Sequence, residues 1–184
     1  QAVVNELHAG ATPSLAPDEH RRRMMALVDI RLKLEEAADQ TLSDDDHPIF
    51  IALQDVFNRY PIKLADFETV IEGMEDDLYP VRNQTWDELR SYCYKVASAV
   101  GLILIEIYGY EDRAARLHAI DLGIQMQLIN VLRDINEDLE RGRIYLPLEV
   151  LATHNISLEM LSTETIAETL AWKGFVVEYV DVIK

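Results

Sequence analysis

Residues 123–147 read GIQMQLINVLRDINEDLERGRIYLP. At about 100° per residue, Ile124, Leu128, Val131, Ile135 and Leu139 fall on one stripe of a helix. Gln127, Asn130, Asp134 and Asp138 fall on a narrow arc beside it. A helix in a folded protein buries its apolar stripe, so the polar arc borders whatever space adjoins the core. Asp134 and Asp138, one turn apart, suit a hard divalent cation, and Mg²⁺ is usually held by one or two carboxylates together with substrate phosphates. The plain alternative is a solvated acidic face paired with Arg133, Arg141 and Arg143. Two amides, Gln127 and Asn130, lie in line with the acids between apolar neighbours, and a solvated face has no need of them. Glu137 points away from the arc and reads either as a support behind the ligands or as solvent-facing.

Outward from this stretch the chain reads as almost entirely helical. Its 7 glycines and 6 prolines are scarce and sit between periodic segments. Pro17, with Asp18 and Glu19 in the first turn, opens a helix to about Gln40. Ser43-Asp44-Asp45-Asp46 is a polar break and cap for a helix over 47–58. Pro61 starts the next helix, which ends before Pro80. Thr85, with Glu88 three residues on, caps a long helix to Tyr108, and Gly109 ends it. One further helix covers 111–140 and stops at Gly142. A short turn at 147–152 and a helix over 163–183 complete the chain. No strand-type alternation, internal repeat or low-complexity tract is present. The expectation is an all-α fold: a single domain over 1–184, a helical bundle around a central cavity.

Composition limits the function classes. A chain of 184 residues, 49% hydrophobic, can bury a substantial core. With 17 basic and 33 acidic residues the net charge is −16, which disfavours nucleic acid or an anionic surface as an electrostatically recruited partner. One cysteine, Cys93, excludes an intramolecular disulfide and a cysteine-based zinc site, and its apolar neighbours favour a buried thiol. No signal peptide is evident. The longest nearly apolar run, 96–105, is about half of the ~20 residues a spanning helix needs. The expected location is cytoplasmic.

The segments HPIFIALQDVFNRYPI (47–62), FETVIEGMEDDL (67–78), TWDELRSYCYKVASAVG (85–101) and QLINVLRDINEDLERGRIYLP (127–147) follow one another in the order and spacing of the squalene/phytoene synthase family. That resemblance covers about three quarters of the chain. These are head-to-head trans-isoprenyl diphosphate synthases, and 127–147 resembles their second aspartate-rich motif. The resemblance implies an isoprenoid-synthase-like bundle and a Mg²⁺-dependent condensation of two C15 or C20 prenyl diphosphates. The reaction passes through a cyclopropylcarbinyl diphosphate to squalene, dehydrosqualene or phytoene; NADPH joins if a reductive second step follows. Asn130, Asp134 and Asp138 are then the metal ligands, with Gln127 on the substrate side of the same arc. Arg133 and Arg143 contact diphosphate oxygens, a task suited to guanidinium forks. Tyr92 matches the first tyrosine of the family's YCY element and orients diphosphate or faces the cation. Val96, Val100, Gly101 and Leu104 line the prenyl-tail channel, with the small Gly101 leaving width. Amphiphilic substrates imply transient contact with a membrane surface.

The sequence also departs from the family. Its usual VAGTVG stands here as VASAVG, and Asn83 replaces the aromatic that follows Arg82. Asp77 in GMEDDL resembles another acidic family position, though Glu75 and Asp76 beside it favour a solvated charge run. The family's helices at both ends are expected to be missing from this chain. Only Gln1 and Asn5 have the spacing of the first acidic motif, as amides. Either this is a degenerate first motif or the chain begins just after the real one; degeneracy motivates a second reading, a synthase-like binding or assembly protein without catalysis.

Overall fold

A computed structural model describes residues 15–79, 83–163 and 165–183; the Gln1 and Asn5 positions lie outside them, as does Arg82. Among the described residues the architecture is all-α. In chain order the helices are α1 (Pro17–Ala38), α2 (Pro48–Arg59), α3 (Leu64–Asp76), α4 (Trp86–Cys93), a π-helical segment (Tyr94–Ser98), α5 (Ala99–Tyr108), α6 (Ala115–Arg133), α7 (Ile135–Glu140), α8 (Leu148–Thr153), α9 (Leu158–Leu161), a 3₁₀ turn (Ile166–Glu168) and α10 (Leu170–Ile183). Contacts gather into two compact units. One comprises Leu15–Tyr79 and Tyr94–Ile124; the other comprises the described residues of Pro80–Cys93 and Gln125–Lys184.

In the first unit, Leu27 and Leu34 of α1 pack with Ile71 and Leu78, and Phe50, Phe57 and Phe67 close around them. The Phe57 and Phe67 rings lie 5.3 Å apart. The cap of α2 differs from expectation: His47 Nδ1 accepts from the Ile49 N–H at 3.3 Å. Asp46 is instead tied to the Ser43 N–H at 2.9 Å and to Lys33 at 2.6 Å. The expected helix over 85–108 is present, but five residues of it are π-helical, and π-turns often mark functional places. Beyond the π-turn, α5 lies against α6. Ser98 donates from Oγ to the Ile120 carbonyl at 2.7 Å. A Cβ built on Gly123 would stand 2.6 Å from Ser98 Cα, so the two backbones touch and only glycine leaves room.

Asp66, at the start of α3, is buried at 8% exposure, and its Oδ2 has no hydrogen-bond partner. Arg116 stands 3.7 Å away, too far for a hydrogen bond, and is engaged with Glu106. Burial pushes the Asp66 carboxyl up, against the opposing pull of Arg116 and Lys63. A carboxyl raised by folding holds its proton more tightly when folded. Its contribution is therefore present at low pH and lost as pH rises through the folded value. Asp66→Asn should remove that loss: a thermal-melt series from about pH 4 to about pH 7 should slope less for the variant. An unchanged slope would mean that Asp66 is well solvated.

In the second unit, Tyr179 and Phe175 of α10 are fully buried with Leu89, Cys93, Leu128 and Leu151. Tyr179 donates from its hydroxyl to the Leu128 carbonyl at 3.0 Å, pinning α10 to α6. Trp86 lies 5.0 Å from the Tyr179 ring. Cys93 is buried as expected, and burial pushes its thiol up to about 12. Thr85 Oγ1 accepts from the Glu88 N–H at 3.2 Å, as the capping pattern requires. The C-terminal helix begins at Leu170, later than expected, because Thr169 Oγ1 accepts from the Trp172 N–H at 3.1 Å and caps it there.

Two expectations from sequence need correction. The helix expected over 111–140 is broken at Asp134, which leaves helical geometry with φ −99° and ψ 14°. Aspartate is a poor helix-interior residue, and the departure lets its carboxylate reach Arg133. The backbone ladder still passes through the break, from Asp134 N to Asn130 O and from Asp138 N to Asp134 O, each at 2.9 Å. Secondly, counting only 96–105 understated an apolar helix. Trp86–Tyr108 runs 23 residues and has the length and composition of a membrane span. Core helices share those properties, and Leu89, Tyr92, Cys93, Ser98, Ala99 and Leu102 of this one are buried in protein.

Candidate diphosphate and metal site

The polar arc begins on the last turns of α6. Asn130 Nδ2 donates to Gln127 Oε1 at 3.3 Å, so the two amides orient each other; both are half-buried. At the break, Arg133 closes on Asp134 as a fork, Nε to Oδ1 and Nη2 to Oδ2, each at 2.6 Å. Those bonds hold the Asp134 carboxyl below its ordinary range. The Asp138 carboxyl is raised instead, chiefly by burial, with Arg143 pulling the other way. Glu137 is exposed and pairs with Arg141 at 2.5 Å, outside the arc as expected.

After α7 the chain reverses at Gly142, whose φ of 70° is a left-handed conformation that favours glycine. The Arg143 N–H then donates to the Asp138 carbonyl at 2.7 Å. This turn folds GRIYLP back over α7. Asp138 and Arg143 come to line one small cavity of about 10 Å³ with Val131, Tyr145 and Leu161, room for little more than a water.

Two residues of this region were missed as participants. Tyr145 is buried and stacks on Tyr92, ring centroids 4.9 Å apart. Asn83 was noted only as a departure, yet it fastens the same segment: its Nδ2 donates to the Tyr145 carbonyl at 2.8 Å, and its own carbonyl accepts from the Leu148 N–H at 3.0 Å. A buried amide can satisfy a loop's backbone where an aromatic cannot.

The four residues assigned to the hydrocarbon wall separate in the other unit. Val96, in the π-turn, lies against Gly73 of α3. A Cβ on Gly101 would meet the Ala119 carbonyl at 3.3 Å, so its small size serves the packing of α5 on α6. Val100 and Leu104 are the accessible pair, 38% and 40% exposed.

As for a cation, the arc offers oxygen donors alone: the Asp134 and Asp138 carboxylates and the Asn130 amide. Among the described residues, no three acidic, histidine or cysteine side chains gather around one point. Such a donor set does not make a self-contained cage. It does fit Mg²⁺, which keeps several positions for water and phosphate oxygens.

Known proteins resemble this chain along most of its length. The squalene/phytoene synthase family model matches residues 11–181. The 15-cis-phytoene synthase of Synechococcus elongatus is 39% identical over 137 residues, covering 68% of this chain and 44% of that protein. Phytoene synthase 1, chloroplastic, of Zea mays is 42% identical over 130 residues, 67% of this chain and 31% of that one. A solved dehydrosqualene synthase in complex with ligand superposes with a TM-score of 0.73 at 26% identity, over 98% of this chain and 61% of that one. A squalene synthase from Alicyclobacillus acidocaldarius has a TM-score of 0.79 at 24% identity, a likeness of fold alone, over 99% of this chain and 65% of that one. The chain thus spans less than half the length of these two curated relatives and under two thirds of the solved ones. With its matched residues running almost from end to end, this chain belongs to the squalene/phytoene synthase family.

Proposed function

We propose that the chain carries the diphosphate-binding machinery of a prenyltransferase that joins two C15 or C20 prenyl diphosphates head to head. The observation that supports it most is the turn at Gly142, which brings Arg143 to Asp138 beside the Tyr92–Tyr145 stack. Similarity to proteins named phytoene synthase and dehydrosqualene synthase supports the same reaction class.

In this reading the allylic C–O bond of one substrate breaks and diphosphate leaves with the electron pair. The double bond of the second substrate attacks that carbon, and a proton is lost as the cyclopropyl ring closes; a second diphosphate departs later. Asp134, Asp138 and Asn130 would hold Mg²⁺, which would supply positive charge to the leaving oxygens. Arg143 and Arg133 bind those oxygens through guanidinium N–H groups. Tyr92, stacked on Tyr145, would place aromatic density beside developing positive charge. Amphiphilic substrates bring transient contact with a membrane surface. In the direct test, full-length protein is incubated with farnesyl or geranylgeranyl diphosphate and Mg²⁺, and hydrocarbon products are read by mass spectrometry. A C30 or C40 product is expected; folded protein that makes neither overturns the proposal.

A second reading, a family member that binds without turnover, applies if Gln1 and Asn5 stand at the family's first acidic motif. An amide brings no charge to offset several cations. Tight metal-dependent binding of a prenyl diphosphate analogue with no product would select that reading.

A further inference from the structure

Adjacent helical residues point about 100° apart and do not normally pair. Arg133 and Asp134 pair here because Asp134 departs from helical geometry at the junction of α6 and α7. The guanidinium fork occupies both carboxylate oxygens, and these are the oxygens that a divalent cation takes. Resting on the metal–diphosphate reading above, we propose that Arg133 is an exchangeable counter-ion of Asp134. A divalent cation displaces it from the carboxylate, and the released guanidinium then serves the diphosphate.

The geometry makes the exchange cheap. Arg133 is 65% exposed and Asp134 33%, and ion pairs near water are weak. A long, solvated arginine also reswings without disturbing the core. The exchange links the two ligands. Cation binding frees a diphosphate contact, and by reciprocity diphosphate held by Arg133 uncovers Asp134 for the cation. Arg141 provides the comparison. It carries the same charge within two turns of Asp134, but it pairs with Glu137.

The experiment measures Mn²⁺ binding to the full-length protein by electron paramagnetic resonance, with Mn²⁺ alone and then with inorganic diphosphate. Arg133→Gln should bind Mn²⁺ alone about two- to fivefold more tightly than wild type, while its Mn²⁺-dependent affinity for diphosphate falls about tenfold or more. A purely structural role would weaken both together. Arg133→Lys keeps the charge without the fork and should move Mn²⁺ affinity part of the way. Arg141→Gln should tighten Mn²⁺ binding less than Arg133→Gln. Equal gains from the Arg133 and Arg141 variants, or no gain from Arg133→Gln, overturn the exchange alone. Wild-type protein that binds no Mn²⁺ even with diphosphate overturns the functional reading and the exchange together.

Discussion

Asp138→Asn should lower turnover by on the order of 10³-fold. Charge stabilisation by a bound metal is worth several kcal/mol in a transition state, and each 1.36 kcal/mol is about tenfold in rate. An asparagine keeps one oxygen but loses the charge that holds the cation. The fold should tolerate the change, because burial already disfavours the charged form of this carboxyl and the turn beyond it is fixed by the Asp138 backbone carbonyl. Circular dichroism and melting temperature should therefore stay close to wild type while steady-state turnover collapses. Turnover within about threefold of wild type, on a scale where 1.36 kcal/mol is tenfold, would return Asp138 to an ordinary structural role.

The second large effect is on stability. Gly123→Ala should destabilise the protein by about 3 kcal/mol, a drop in Tm on the order of 10 °C for a chain of this size. In an unpacked helix the same change is favourable by about 1 kcal/mol, because alanine is the better helix former. The sign therefore reports the contact. The new Cβ would fall 2.6 Å from Ser98 Cα and 2.7 Å from Ser98 N, and backbone atoms of a packed helix cannot step aside. Gly109→Ala is the companion variant: nothing lies within 4 Å of a Cβ there, and its cost comes from a φ of 79° alone, about 1 to 2 kcal/mol. Differential scanning calorimetry of the two variants decides. A Gly123→Ala protein as stable as wild type would mean that α6 does not touch the π-turn at Ser98.

Much of this architecture is legible in the residues. Proline at 17, the Thr85–Glu88 cap and Gly109 and Gly142 after helices are local signals with local causes, and the elements they delimit are present. The buried stripe of Ile124, Leu128 and Val131 follows from periodicity alone. What periodicity hides is any change of register. It treats 85–108 as uniform, so it groups Val96, Val100, Gly101 and Leu104 on one face. The π-turn at Tyr94–Ser98 separates them, turning Val96 to α3 and Gly101 to α6. It likewise runs one helix through Asp134, because a side-chain fork to the preceding residue carries no periodic mark. Tyr145 and Asn83 escaped because their roles arise between distant segments, 62 residues apart. Arg143 and Asp138 were within reach because a single glycine turn joins them.

The most direct measurement of the central claim is a calorimetric titration of the full-length protein with a non-hydrolysable farnesyl diphosphate analogue, with and without Mg²⁺, repeated for Asp134→Asn and Asp138→Asn. Binding should require Mg²⁺ in wild type and be lost in both variants while each remains folded. Binding of equal strength without Mg²⁺, or undiminished in both variants, would contradict it.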